Sequence, residues 1–574
     1  MSTFKIPAPK PNLSRNGFDL STRRIFSAPC GALLPVLALE TNPGEHFEIS
    51  VQDLVRTLPM NTAAFLRCKE YYHFFFVPYK ALWRFSDQFF TGVSNGDSAF
   101  STPVIQDSPN FNKSLDATYN FVPNFTPNFK LQSLIEYVFN PKNSTRSDSL
   151  GYKYSDGAFR LLNFLGYGVN HRGLVRSSVK VGAKYVDAAH LDFKPNPFRL
   201  LAYQRIYNDF YRNDNWEQAD VVSFNVDYCN SNSNLTIAPD IAQRFCQLRY
   251  RQYPKDMFTC ALPTPNYDKG IFNLPTYLGE SQNVGRDSMS TGILIENDSN
   301  STISVNDIRA MFALDKMLEV TRRANGLDYS NQIAAHFGFN VPESRRNCAQ
   351  FIGGFDNAIT VSEVITSSNG SIDGTNETAS VTGDIYGKGI GSMNSGKIEY
   401  DTKEHGIIMC IYSNAPQVDY NAFRLDSFNR KISRSDYFQP EFQNLGMVPL
   451  LGMDMSLVSD KQQAATLDLN NAILGYVPRY IEYKTNLDLV FGDFMSGQEF
   501  SAWCTPRSDV YDYLSQDNKS PSINATTLMV DPKVLDPVFA SQYRGEPSQD
   551  QFKINCYFDI KAVRPMSVSG FTPI

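Results

Sequence analysis

The chain has 574 residues, with 53 Lys and Arg against 59 Asp and Glu and a formal net charge of −6 at pH 7. Hydrophobic residues make up 42% and charged residues 20%, which supplies a core and excludes both a disordered chain and a nucleosome-like basic protein. Aromatics reach 13%, with 42 Phe and 30 Tyr against 3 Trp, a bias toward strands and packed interfaces that argues against a helical bundle or coiled coil.

Residues 1–26 read as a basic, extended N-terminal arm. Lys5, Lys10, Arg15, Arg23 and Arg24 face a lone Asp19, and Pro7, Pro9 and Pro11 deny the segment a helix. The plain expectation is a solvated terminus; the sharper one is an arm lying against a polyanion. It has no apolar h-region, so no signal peptide is expected. The longest apolar runs, residues 32–39 and 74–77, fall far short of the roughly 20 needed to cross a bilayer, so no membrane insertion is expected.

Strand patterns follow. Residues 32–40 and 45–56 flank Thr41-Asn42-Pro43-Gly44, which predicts a hairpin or a tight strand connection. Residues 67–77 form an aromatic strand ending at Pro78, and 405–412 is apolar on both faces, as a central strand would be. At residues 552–562, Phe552, Ile554, Cys556, Phe558, Ile560 and Ala562 share one face and Lys553, Asn555, Asp559 and Lys561 the other. Period two over that length predicts a half-buried strand.

Helices fall between these strands and do not alternate with them. Asn196 and Pro197 open one, with Phe198, Leu201, Ala202 and Phe210 on one side. Ile308, Met311, Phe312 and Leu318 make a second stripe stopped by Gly326, and 329–337 is a third helix closed by Gly338, with His336 on its apolar side as a core histidine. Residues 91–126, 213–234, 270–302 and the Gly/Ser/Asn/Thr-rich 367–396 read as surface insertions in a single domain spanning 27–574. Strands at both ends with helices and long loops between exclude a doubly wound α/β sheet and predict a β-sandwich with enlarged loops.

Little points to catalysis. Nine scattered cysteines without C-x-x-C favour a reducing compartment over a disulfide scaffold or zinc site. The six histidines never fall two or four apart, which removes H-x-H and H-E-x-x-H metal sites. Gly387-Lys388-Gly389-Ile390-Gly391 superficially suggests a phosphate loop but has no helix after it. No catalytic residue, cofactor or metal ligand is expected. The basic cluster Arg424, Arg430, Lys431 and Arg434 interleaves with Phe423, Phe428, Tyr437 and Phe438. Cations that neutralise phosphates beside rings that stack on unpaired bases suit single-stranded nucleic acid. Intramolecular ion pairs with Asp426 and Asp436 are the equal alternative.

Eight blocks resemble, in order, the major capsid proteins of microviruses, small tailless icosahedral phages with circular single-stranded DNA, and most closely their gokushovirus-like branch. They are RNGFDLSTRRIFSAPCGALLPV from Arg15, EYYHFFFVPYKALW at 70–83, NPFRLLAYQRIYNDFYRN at 196–213 and YPKDMFTCALPTP at 253–265. The rest are VNDIRAMFALDKMLE at 305–319, AAHFGFNVPESR at 334–345, EHGIIMCIYS at 404–413 and NCYFDIKAVRPMSV at 555–568. The resemblance implies a mainly β fold, an eight-stranded viral jelly roll (an antiparallel β-sandwich) with long loop and helix insertions. It implies assembly with copies of itself into a T=1 icosahedral shell around the genome, in the host cytoplasm. Further implied partners are a small basic internal protein, a minor pilot protein and a host-cell receptor, with Lys5, Lys10, Arg15, Arg23, Arg24, Arg430, Lys431 and Arg434 as the DNA-facing residues. A carbohydrate-binding β-sandwich, stacking loop aromatics on sugars, is the competing expectation.

Overall fold

In the computed structural model the C-terminal alternation is a strand, Phe552–Arg564, whose six named apolar residues are all 0–1% exposed. The structure describes residues 15–60, 64–91, 126–139, 154–169, 194–228, 236–265, 272–273, 283–286, 293–295, 305–324, 326, 329–340, 342, 347–365, 385–444, 446–457, 470–495, 498–505, 507, 523, 525–539 and 550–568.

Eight strands build the core. They are β1 (Thr22–Ala28), β2 (Leu34–Thr41), β3 (His46–Thr57) and β4 (Cys68–Pro78), then β5 (Gln350–Ile365), β6 (Ile385–Asn394), β7 (Gly406–Pro416) and β8 (Phe552–Arg564). One layer pairs in the order β1-β8-β3-β6 and the other β2-β7-β4-β5, every pair antiparallel. Two interlocked Greek keys give this order, which is that of a jelly roll. The long β5 joins the layers, because Gln350–Ile359 pairs with β4 and Thr360–Ile365 with β6. Side chains of the two layers meet between them: Phe26 packs on Tyr412 at 5.2 Å, and Phe558 on both Tyr72 and Phe74 at 6.3 Å. Such edge-on aromatic pairs add to the area they bury.

Several expectations need correction. The Thr41–Gly44 turn, with Gly44 at φ 84°, is the tight strand connection of the two alternatives and not the hairpin, a corner between β2 and β3 in different layers. The apolar β7 is buried along its whole length, its far face lying under helix α1 (Phe198–Ile206). Asn196 Oδ1 accepts from the Phe198 N–H at 3.3 Å, as a cap would. Yet α1 is buried almost all round and not along one stripe, and Phe210 lies beyond its end. Gln204 survives there by donating to the carbonyls of Phe245 and Gln247.

The second and third expected helices are α2 (Val305–Arg323), which holds the predicted stripe and ends before Gly326, and α3 (Tyr329–Phe337), which has the expected span and is closed by Gly338 at φ 77°. Phe312 of α2 and Phe337 of α3 are not core, at 72% and 75% exposure, and Leu318 is half-buried. His336 is exposed too, its Nε2 3.0 Å from Thr321 Oγ1.

Of the expected insertions, 92–125 and 366–384 lie outside the described residues. Residues 213–228 are loop and 3-10 turns, pinned where Trp216 Nε1 donates to the Ala261 carbonyl. Within 270–302, Phe272–Asn273, Asn283–Arg286 and Ile293–Ile295 form a small antiparallel sheet. The end of 367–396 is no loop but β6. Its glycines recur at period two, and Gly387, Gly389 and Gly391 all face inward. A Cβ on Gly389 would stand 2.6 Å from Thr57 Cγ2, so the close approach of the neighbouring strands requires glycine there. The Gly387–Gly391 run, which only superficially suggests a phosphate loop, is therefore a strand whose core face is bare glycine and whose outer face carries Lys388 and Ile390.

Candidate nucleic-acid interface and assembly surfaces

Lys5 and Lys10 lie outside the described residues. From Arg15 onward the arm is part of the sheet: Asn16–Asp19 pairs with the end of β8, and β1 pairs with its beginning. Between them Asp19 accepts from both the N–H and hydroxyl of Ser21, which hold its carboxyl below its ordinary value. β1 forms a sheet edge that keeps Arg23 and Arg24 exposed, and Arg15, just before the Asn16–Asp19 strand, is exposed as well. Arg23 Nε donates to Asn555 Oδ1 at 2.7 Å, and no carboxylate pairs with any of the three among the described residues.

The second cluster divides by partner. Arg430 pairs with the buried Asp454, whose carboxyl is raised by burial against the pull of the Leu451 N–H and of Arg430 and Arg424. Lys431 donates to Glu482 Oε1 at 2.7 Å, its side chain only 6% exposed. Its ammonium lies 4.2 Å from the Tyr483 ring centroid and 4.4 Å from that of Phe428. Burial disfavours that charge, but Glu482 and Tyr483 hold its pKa above the ordinary value. Asp436 accepts from the N–H groups of Ile432 and Ser433 and fixes the turn. Arg424 pairs with Asp426. Arg434 alone of the four is exposed with no side-chain partner among the described residues. The segment is a run of 3-10 turns, not a strand, and displays Phe423, Phe428, Ile432, Tyr437 and Phe438 at 44–93% exposure.

One polar feature escaped sequence reading. Glu70 on β4 and Asp53 on β3 meet inside the sandwich, at 0% and 8% exposure. Period two along β4 carries the signal, since Glu70 shares the inward register of Cys68, Tyr72 and Phe74.

Among the described residues, no group of three or more His, Cys, Asp or Glu is placed to hold a metal, and no helix is long and apolar enough to cross a membrane. Of the eight described cysteines, seven are buried and Cys260 is exposed. A nucleophile-elbow spacing, Gly92-x-Ser94-x-Gly96, lies outside the described residues.

Comparison with known proteins agrees with the strand order. The chain is similar over 98% of its length to capsid protein VP1 of Chlamydia phage 1, at 22% identity and with 96% of that protein covered. It is 24% identical to capsid protein VP1 of Bdellovibrio phage phiMH2K, over 67% of this chain and 73% of that one. The carbohydrate-binding alternative finds no support in these relatives. The phage capsid protein (F protein) family matches residues 8–135 and 186–573, and the chain belongs to that family.

Proposed function

We propose that this capsid protein is the major shell subunit of a microvirus, closing with identical copies into a T=1 icosahedron around a circular single-stranded DNA genome. The observation that carries the reading is a jelly roll in the β1-β8-β3-β6 and β2-β7-β4-β5 order, in a chain of the phage capsid family. Many weak copy-to-copy contacts, closed by symmetry, give a stable shell without any one strong interface. Phe312, Phe337 and Phe339, at 60–75% exposure, are apolar groups for which such contacts supply a partner.

Phosphate contacts in this reading come from Lys5, Lys10, Arg15, Arg23 and Arg24 of the arm and from Arg434. Arg430 and Lys431, already paired with carboxylates, hold the 427–436 turns in place. A small basic internal protein, a minor pilot protein and a host receptor complete the proposed partner set. Sedimentation and negative-stain microscopy of the purified chain test the proposal. Closed particles of one size are expected, and a monomer or dimer at every concentration would refute it.

A further inference from the structure

Asp53 and Glu70 are two carboxyls in contact between the layers of the sandwich, and no Lys or Arg hydrogen-bonds or ion-pairs with either among the described residues. Glu70 is well supplied: Asn357 Nδ2 on β5 donates to Oε1 at 2.9 Å, and the Tyr412 hydroxyl on β7 donates to Oε2 at 3.3 Å. Asp53 is not. The Tyr72 hydroxyl and the Met393 N–H lie beside it, yet neither buried oxygen of Asp53 closes a hydrogen bond of normal geometry, and the Tyr72 hydroxyl is left equally unmatched. Unmatched buried oxygens of this kind are costly, and each calls for a proton, an ion or a water.

The surroundings favour the proton. The titratable groups facing the pair are Tyr72 and Cys68 on β4, Tyr412 on β7 and Cys556 on β8, all neutral at pH 7 and all held above their ordinary values by burial. β6 presents Gly391, where a Cβ would lie 3.2 Å from Glu70 Oε1. The carboxyl pair thus has an aromatic and thiol-lined site with no oxygen cage. A single proton converts the Glu70–Asp53 contact into an O–H···O hydrogen bond and gives Asp53 a donor in place.

We propose that Asp53 and Glu70 are a proton-operated latch: one shared proton ties β3 to β4 across the core at neutral pH, and its loss in alkali leaves two like charges that loosen the sandwich. Burial, and after it the Asp53 charge, push the Glu70 carboxyl up to about 8, and burial raises Asp53 as well. The folded chain therefore keeps a proton that the unfolded chain releases above the ordinary value of 4.5. The latch's contribution is complete below that value, declines as pH rises, and is lost once the pH passes through the folded value.

The test is urea unfolding of the full-length chain and of Glu70→Gln between pH 5 and 9. The amide keeps one oxygen to accept from Asn357 Nδ2, and its nitrogen donates permanently to Asp53 in place of the carboxyl proton. Relative to Glu70→Gln, the wild-type folding constant should fall about tenfold per pH unit up to about pH 8 and then level off. Parallel profiles would overturn the proposal, as would calcium shifting the wild-type midpoint but not that of the variant, which would mean a bound cation. Infrared spectroscopy of the wild type needs no variant to fold. A protonated-carboxyl band at pH 7 that vanishes by pH 9 is expected, and its absence at pH 7 overturns the latch.

Discussion

Lys431 and Arg434 stand three positions apart in a basic, aromatic stretch, and as residue types they have equal claims on a phosphate. Their surroundings separate them. Lys431 is enclosed between Phe428 and Tyr483 with Glu482 as its partner, so its charge is neutralised within the chain. Arg434 projects into solvent. Lys431→Met should leave Glu482, 17% exposed, without its cation and cost about 3 kcal/mol, the lower end for a broken buried pair. Arg434→Ser should change stability by less than about 0.5 kcal/mol. It should reduce the salt dependence of oligonucleotide binding by about 0.7 in the log–log slope, one phosphate contact on a single strand. Urea unfolding and titration of a labelled single-stranded oligonucleotide measure the two effects. If Lys431→Met lowers the salt slope without loss of stability, the roles given to these residues are reversed.

At the scale of elements, the readable segments are those whose side chains report their own burial. β8 alternates because one face meets the core and the other solvent, and β4 and β7 are legible by aromatic and aliphatic content. α3 was legible because Gly338 ends it at a left-handed position that glycine adopts freely. β6 was not, because glycine carries no hydrophobic signal and the close packing that selects it comes from residues more than 300 positions away, Thr57 and Glu70. Nor could the stripe on α2 reveal that Phe312 stays exposed within its own chain, since an apolar face looks the same whether its partner is the same subunit or another. The arm read as a free terminus for a similar reason: Arg23 and Arg24 hide the pairing of β1, which lies in its backbone. The β6 account is testable. Gly389→Val places a branched side chain where Thr57 Cγ2 already stands 2.6 Å from the first added carbon, and should cost about 3 kcal/mol or more by overpacking. Lys388→Val on the exposed face of the same strand should be nearly neutral, so a urea-midpoint comparison in which both variants behave alike would contradict the assigned register.

For the whole molecule, the division of labour follows from what is closed and what is left open. The two layers satisfy each other through Phe26, Tyr72, Tyr412 and Phe558 and need nothing from outside. In the proposed function, basic and apolar groups left at the surface are where the subunit meets DNA and its neighbours. The chain as a whole carries a charge of −6, so attraction to DNA cannot come from net charge and must be local. The arm concentrates five cations against one carboxylate, and two of these cations, Arg23 and Arg24, sit on the sheet edge with Arg15 next to its first paired residue, where an interaction with phosphate would be passed directly to the sandwich. Replacing Lys5, Lys10, Arg15, Arg23 and Arg24 together with Ser removes up to five phosphate contacts, which for a single strand corresponds to a log–log salt slope smaller by about 3.5. Since these residues make no buried ion pair among the described residues, the variant should still sediment as particles of wild-type size. Those particles should release DNA at lower salt than the wild type, as read by nuclease sensitivity across a sodium chloride series. Particles that keep their genome to the same salt concentration would assign DNA retention elsewhere and leave the arm as a structural edge alone.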